Sequence, residues 1–178
     1  MKSLHNRKGC TYSIWLMPDK KCAKKVSKII NNLSKKYNTP PFKPHVTLIG
    51  DCKKEKFNQL SLILKKEKAF FPLKIFLRNF SYKDFFFHSL YIKVKKNYNL
   101  VKTRNILIKI LKINSKRIYE PHMSLIYSRL KVSEKKKIIK KLGSFEDNFI
   151  TNNLFLAKND YDNLKWTVEK KIKINSSK

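Results

Sequence analysis

The hexapeptide Pro44-His45-Val46-Thr47-Leu48-Ile49 returns 77 residues later as Pro121-His122-Met123-Ser124-Leu125-Ile126. Each copy reads proline, histidine, an apolar residue, a hydroxyl residue, leucine, isoleucine, so the fold must hold the same local chemistry twice. A β-strand turns successive side chains to opposite faces. If both copies are strands, His45 and Thr47 share one face, as do His122 and Ser124, while Val46, Leu48, Met123 and Leu125 point into a core. A proline just ahead of each histidine suits the start of a strand, where no ladder donor is required. A single His-x-Ser/Thr triplet is common and says little. Two copies with shared flanks, in a chain with four histidines, point to a matched pair facing one cleft. Imidazoles on opposite sides of a phosphorus atom, with hydroxyls donating to its oxygens, form a phosphate site that needs no metal and no other cofactor.

Composition bounds the rest. At 178 residues with 42% apolar content, the expectation is a polar, frayed segment over residues 1–10 and one domain over 11–178. The formal charge is +30, from 42 Lys and Arg against 12 Asp and Glu. Such a field attracts polyanions, RNA or nucleotides among them. However, the lysines are spread along the whole chain, Asn is abundant and Gly occurs 3 times, a pattern that an AT-rich genome also produces. Cys10, Cys22 and Cys52 form no C-x-x-C pair, so neither a metal site nor a disulfide framework is expected. No signal-like or membrane-spanning apolar run stands out. The expectation is a monomer, cytoplasmic or alternatively nuclear, with no membrane partner.

In chain order, Thr11 to Met17 reads as a strand and Pro18-Asp19 as a turn into a helix carrying the apolar stripe Ala23, Val26, Ile29, Ile30, Leu33 and Tyr37. The first motif strand follows, then a helix over Asp51 to Lys68. Phe71 to Phe80 and Phe85 to Val94 read as paired strands, and Asn97 to Ile113 as a helix. After the second motif strand comes a helix capped by Ser133, then a closing strand pair, Phe149 to Ala157 and Lys165 to Ile174. His5 reads as a bystander, His88 as a satisfied structural histidine, and Trp166 as core. The second half of this order roughly echoes the first, which predicts an α+β domain of two lobes.

At these residues the chain resembles the 2H phosphoesterase superfamily, defined by two His-x-Ser/Thr-apolar motifs, and more narrowly its plant and yeast type cyclic phosphodiesterases. The narrower resemblance rests on Tyr12-Ser13-Ile14-Trp15-Leu16-Met17-Pro18, Phe42-Lys43-Pro44-His45-Val46-Thr47, Phe85-Phe86-Phe87 and Tyr119-Glu120-Pro121-His122-Met123-Ser124-Leu125-Ile126-Tyr127, and it runs from Thr11 to Ile174. It implies a bilobal, pseudo-symmetric fold with two antiparallel sheets around a central cleft and helices outside. It implies His122 as general base and His45 as general acid, with Thr47 and Ser124 on the phosphate and Tyr127 assisting the phosphate or the water. Trp15 would line the cleft and touch the nucleotide, although a core tryptophan is the alternative; Phe86 would stack on a base. The implied substrates are ADP-ribose 1″,2″-cyclic phosphate and nucleoside 2′,3′-cyclic phosphates, hydrolysed to monophosphates in tRNA splicing and RNA metabolism. Two alternatives stay open: a 2H enzyme acting on RNA 2′,3′-cyclic phosphate ends, and a non-catalytic basic RNA-binding protein.

Overall fold

A computed structural model describes residues 9–54, 57, 60, 71–114 and 118–174. Strand β1 (Cys10–Leu16) leads into helix α1 (Lys20–Tyr37). Asp19 caps the helix, its carboxylate accepting the Cys22 amide at 2.9 Å, and Cys22, Val26, Ile30 and Leu33 form the buried stripe that the periodicity predicts. Asn38 ends α1 in the left-handed conformation, ahead of Pro40-Pro41. Strand β2 (Val46–Cys52) carries the first motif and takes up Asp51 and Cys52; most of the helix expected from Asp51 to Lys68 lies outside the described residues. Then come β3 (Leu73–Tyr82), a 3-10 turn (Phe86–His88), β4 (Leu90–Val94) and α2 (Tyr98–Leu111), capped by Asn97. Strand β5 (His122–Ile126) carries the second motif. The chain closes with α3 (Val132–Leu142), β6 (Glu146–Thr151), β7 (Asn153–Asp160) and β8 (Lys165–Lys173).

Three expectations are corrected. Phe85 to Val94 is not one strand: its first part is the 3-10 turn, which Lys83 closes by donating its amide to the His88 carbonyl at 3.2 Å. Ser133 does not cap α3; the amide of Lys135 already bonds the Lys131 carbonyl, so the helix begins one residue earlier with Lys131 at its cap and no side-chain cap bond. The span from Phe149 to Ala157 is broken at Asn152, where the Asn153 amide donates to the Thr151 hydroxyl at 3.2 Å. That local turn sends β6 and β7 to opposite ends of the sheet, β6 beside β3 and β7 beside β1.

The strand order is β6-β3-β4-β5-β2-β1-β7-β8, every pairing antiparallel. It divides into two four-stranded halves, each with a motif strand on its inner edge, so the two expected sheets are present as halves of one curled sheet. They join at a single residue pair, Val46 with Met123. Around that seam the helices are exchanged. Helix α1 belongs to the first half by sequence but packs on β5 and β6, and α2 packs on β2 as well as β3. Lys25 of α1 pairs with Asp147 of β6 at 2.7 Å, and the Tyr119 hydroxyl, just ahead of β5, donates to the Thr47 carbonyl at 3.2 Å. Among the described residues no helix is long and apolar enough to cross a membrane.

Candidate active site

Both motif histidines are anchored alike. The Nδ1–H of His45 donates to the Lys43 carbonyl at 2.7 Å, and that of His122 to the Glu120 carbonyl at 2.9 Å. In each ring the anchor two residues upstream fixes the tautomer and leaves Nε2 for the cleft. The strands supply the rest by register. Trp15 is paired with Thr47 and Tyr91 with Ser124, so each motif hydroxyl has an aromatic neighbour on the adjoining strand. His45, Thr47, His122, Ser124 and Tyr127 all line one cavity of about 560 Å³ between the halves. The geometry therefore brings together the two motifs that the sequence keeps 77 residues apart.

Each imidazole also lies flat on a ring. The Trp15 indole stacks on His45 with centroids 3.5 Å apart and planes 9° apart. His88 stacks on His122 at 3.6 Å and 16°, with Tyr91 edge-on to the same ring at 5.4 Å. Trp15 lies on the cleft side, but only 2% of it is exposed, because His45 covers its face. Phe86 is not part of the cavity wall; Phe85, half exposed, and Phe87 are. Tyr127 is buried and stacked on Phe42 at 4.3 Å. Trp166 is no core residue. It lines the cavity beside Tyr127, 4.8 Å between centroids, and is paired on β8 with Asn159 of β7, itself a residue of the cavity wall.

His88 is likewise no satisfied structural histidine: it lines the cavity, and its buried Nε2 has no hydrogen-bond partner among the described residues. Lys83, Glu120, Ser13, Gly50, Asn159 and Tyr161 complete the wall, Lys83 and Glu120 as an ion pair. None of these carries a signature in the sequence. His88 arrives on the 3-10 turn, Lys83 and Glu120 from the segments just past β3 and just ahead of β5, and Ser13, Asn159 and Tyr161 on or just past the paired strands β1 and β7; the hint in the sequence is the position of His88 directly after the aromatic run.

Burial dominates the electrostatics. Desolvation pushes His45 down to about 4, with the nearby His122 adding to the effect and the Lys43 carbonyl bond opposing it. Burial also lowers His122, joined by Lys83 and opposed by the Glu120 carbonyl bond and carboxylate. His88 falls to about 3 through burial, then His122 and Lys83. Burial raises the Tyr127 phenol, so it stays a protonated donor. Near neutral pH the cleft therefore presents uncharged imidazoles beside neutral hydroxyls. Among the described residues no three His, Cys, Asp or Glu side chains gather as a metal site would need.

Comparison with known proteins agrees with this geometry. A model of the family described as cyclic phosphodiesterase-like protein matches residues 10–177. A cyclic phosphodiesterase of Arabidopsis thaliana is 26% identical over 160 residues, 84% of this chain and 85% of the plant protein. Among solved structures, TT0787 of Thermus thermophilus superposes with a TM-score of 0.59 at 12% identity, covering 93% of this chain and 97% of that one. Escherichia coli LigT complexed with 3′-AMP gives 0.56 at 15% identity over 94% and 98%. LigT has also been solved with NADP+ and with ATP. The paired motifs on one cleft and the match across nearly the whole chain make this protein a 2H phosphoesterase of the cyclic phosphodiesterase-like family, and so a phosphodiesterase.

Proposed function

We propose that the cleft hydrolyses small cyclic phosphodiesters, ADP-ribose 1″,2″-cyclic phosphate and nucleoside 2′,3′-cyclic phosphates, to monophosphates. The observation that carries this reading is the pair of Nδ1-anchored imidazoles, each beside a hydroxyl, on the wall of one cavity. A volume of about 560 Å³ lies within the usual range for a small-ligand pocket. The relative from Arabidopsis is named a cyclic phosphodiesterase, and LigT holds adenine nucleotides in its solved complexes.

One imidazole takes the proton of an attacking water while its oxygen bonds to phosphorus. The other gives a proton to the ribose oxygen as its bond to phosphorus breaks. Thr47 and Ser124 donate to the non-bridging oxygens, and Tyr127 steadies Ser124 or the water. Resemblance gives His122 the base role and His45 the acid role. The indole under His45 offers a favourable seat for an imidazolium. Burial opposes that charge, and the negative phosphodiester bound beside the ring offsets the cost, so that His45 takes its proton from solvent as the substrate binds. The place of such a reaction is RNA metabolism, tRNA splicing in particular.

The charge of +30 favours a second reading, in which the cyclic phosphate is the end of an RNA strand. Phosphorus NMR of the purified protein with each small cyclic phosphate and with a cyclic-phosphate-ended oligonucleotide separates the two. The first reading expects turnover of the small substrates, faster than of the oligonucleotide, and a loss of at least about 100-fold in His45→Ala and in His122→Ala. Near-normal turnover by either variant refutes the two-histidine mechanism.

A further inference from the structure

The halves match in their motifs and differ in the plates behind them. The plate under His45 is an indole; the plate under His122 is a second imidazole, His88. The turn that carries His88 is held from below. Lys135 of α3, 1% exposed, donates from Nζ to the Lys83 carbonyl at 2.9 Å and lies 3.5 Å from the Asp84 carboxylate. His88 thus has a fixed place, yet its buried Nε2 has no hydrogen-bond partner among the described residues. A buried polar atom without a partner is uncommon and destabilising, so its retention calls for a reason.

We propose that His88 is a positioning residue for this reaction: its ring fixes the plane of His122 and gives that imidazole a poorer seat for positive charge than an aromatic hydrocarbon would. The inference rests on the reading of His122 as a reacting group. The stack and the Glu120 carbonyl together define the ring, one holding its plane and the other its Nδ1. A neutral imidazole face attracts a cation less than a phenyl or indole face does. A proton on His88 would also set two cations 3.6 Å apart, so the pair carries one proton at most. The other groups facing His122 are Lys83 and Glu120 at the cleft wall, Tyr91 on β4, and His45 across the cavity. Lys83 and Glu120 oppose one another in sign. His88 and Tyr91 carry no fixed charge, and of the two it is His88 that lies flat on the ring, so its replacement changes the seat beneath His122 without adding or removing a fixed charge.

The experiment uses the full chain, wild type, His88→Phe and His88→Ala. The His122 ring is titrated by NMR, and kcat and KM are measured with a nucleoside 2′,3′-cyclic phosphate. His88→Phe keeps the stack: kcat should stay within about threefold, and the His122 midpoint should rise by about half a pH unit. His88→Ala loses the plate: kcat should fall at least about tenfold while KM changes less than about threefold. Wild-type kcat in folded His88→Ala, or a His122 midpoint that stays put or falls in His88→Phe, overturns the proposal. If His88→Ala does not fold, the His88→Phe titration decides alone. A wild type that turns over no cyclic phosphate sinks the functional reading instead, and the titration, which needs no turnover, still tests the pairing.

Discussion

His45 is kept neutral by burial: 6% of the residue is exposed, and that desolvation outweighs the Lys43 carbonyl and the indole beneath the ring, both of which favour the charged form. That condition has a thermodynamic signature. The folded ring titrates at about 4 and the unfolded one at about 6.5, so between those values the unfolded chain binds the extra proton. The contribution of His45 is fully present above pH 6.5 and is lost as the pH falls toward 4, up to about 3 kcal/mol in all. Urea unfolding from pH 7 to pH 4 should show that decline, with a shallower slope in His45→Asn; equal slopes would count against a buried neutral His45. The residues legible in the sequence are those whose chemistry is contiguous in the chain. His45 with Thr47 and His122 with Ser124 announce themselves because strand alternation puts each pair on one face. His88, from the 3-10 turn, and Trp166, from β8, meet the site through ring contacts with residues far away in the chain, which no local pattern encodes.

At the scale of elements, the turn between β3 and β4 decides what the second motif faces. Its residues read as strand in the sequence, because a run of three phenylalanines favours β structure. The chain instead folds that run over the cleft, with Lys135 reaching up from α3 to satisfy the Lys83 carbonyl. Replacing Lys135 by Met keeps the stem packed and removes that donor. The orphaned acceptor should cost about 1–3 kcal/mol in chemical denaturation, and the loosened turn should lower activity through its grip on His88. Unchanged stability and turnover in Lys135→Met would show that the turn holds itself. The break at Asn152 has a local sign in the Asn152-Asn153 pair, a residue type depleted in strands and favoured in turns; the Thr151 hydroxyl turn there divides Phe149 to Ala157 between the two half-sheets.

The whole molecule is two half-sheets that share one residue pair, yet it should not come apart as two. Packing of α1 on β5 and β6, and of α2 on β2, gives each half part of its core from the other. Calorimetry should therefore show one unfolding transition with matching calorimetric and van't Hoff enthalpies; two resolved transitions would contradict the exchange. The duplicated order of elements lets the sequence suggest two lobes, but the crossing of helices stays hidden, since α1 has the same apolar stripe whichever strand it covers. This crossing means that the chain segment nearest a motif in sequence is not its buttress in space. Helix α1 leads directly to His45 but underpins the strand of His122, so damage to its inner stripe will be felt first at the far reaction partner. The two halves can tolerate change only in step, each being the other's foundation.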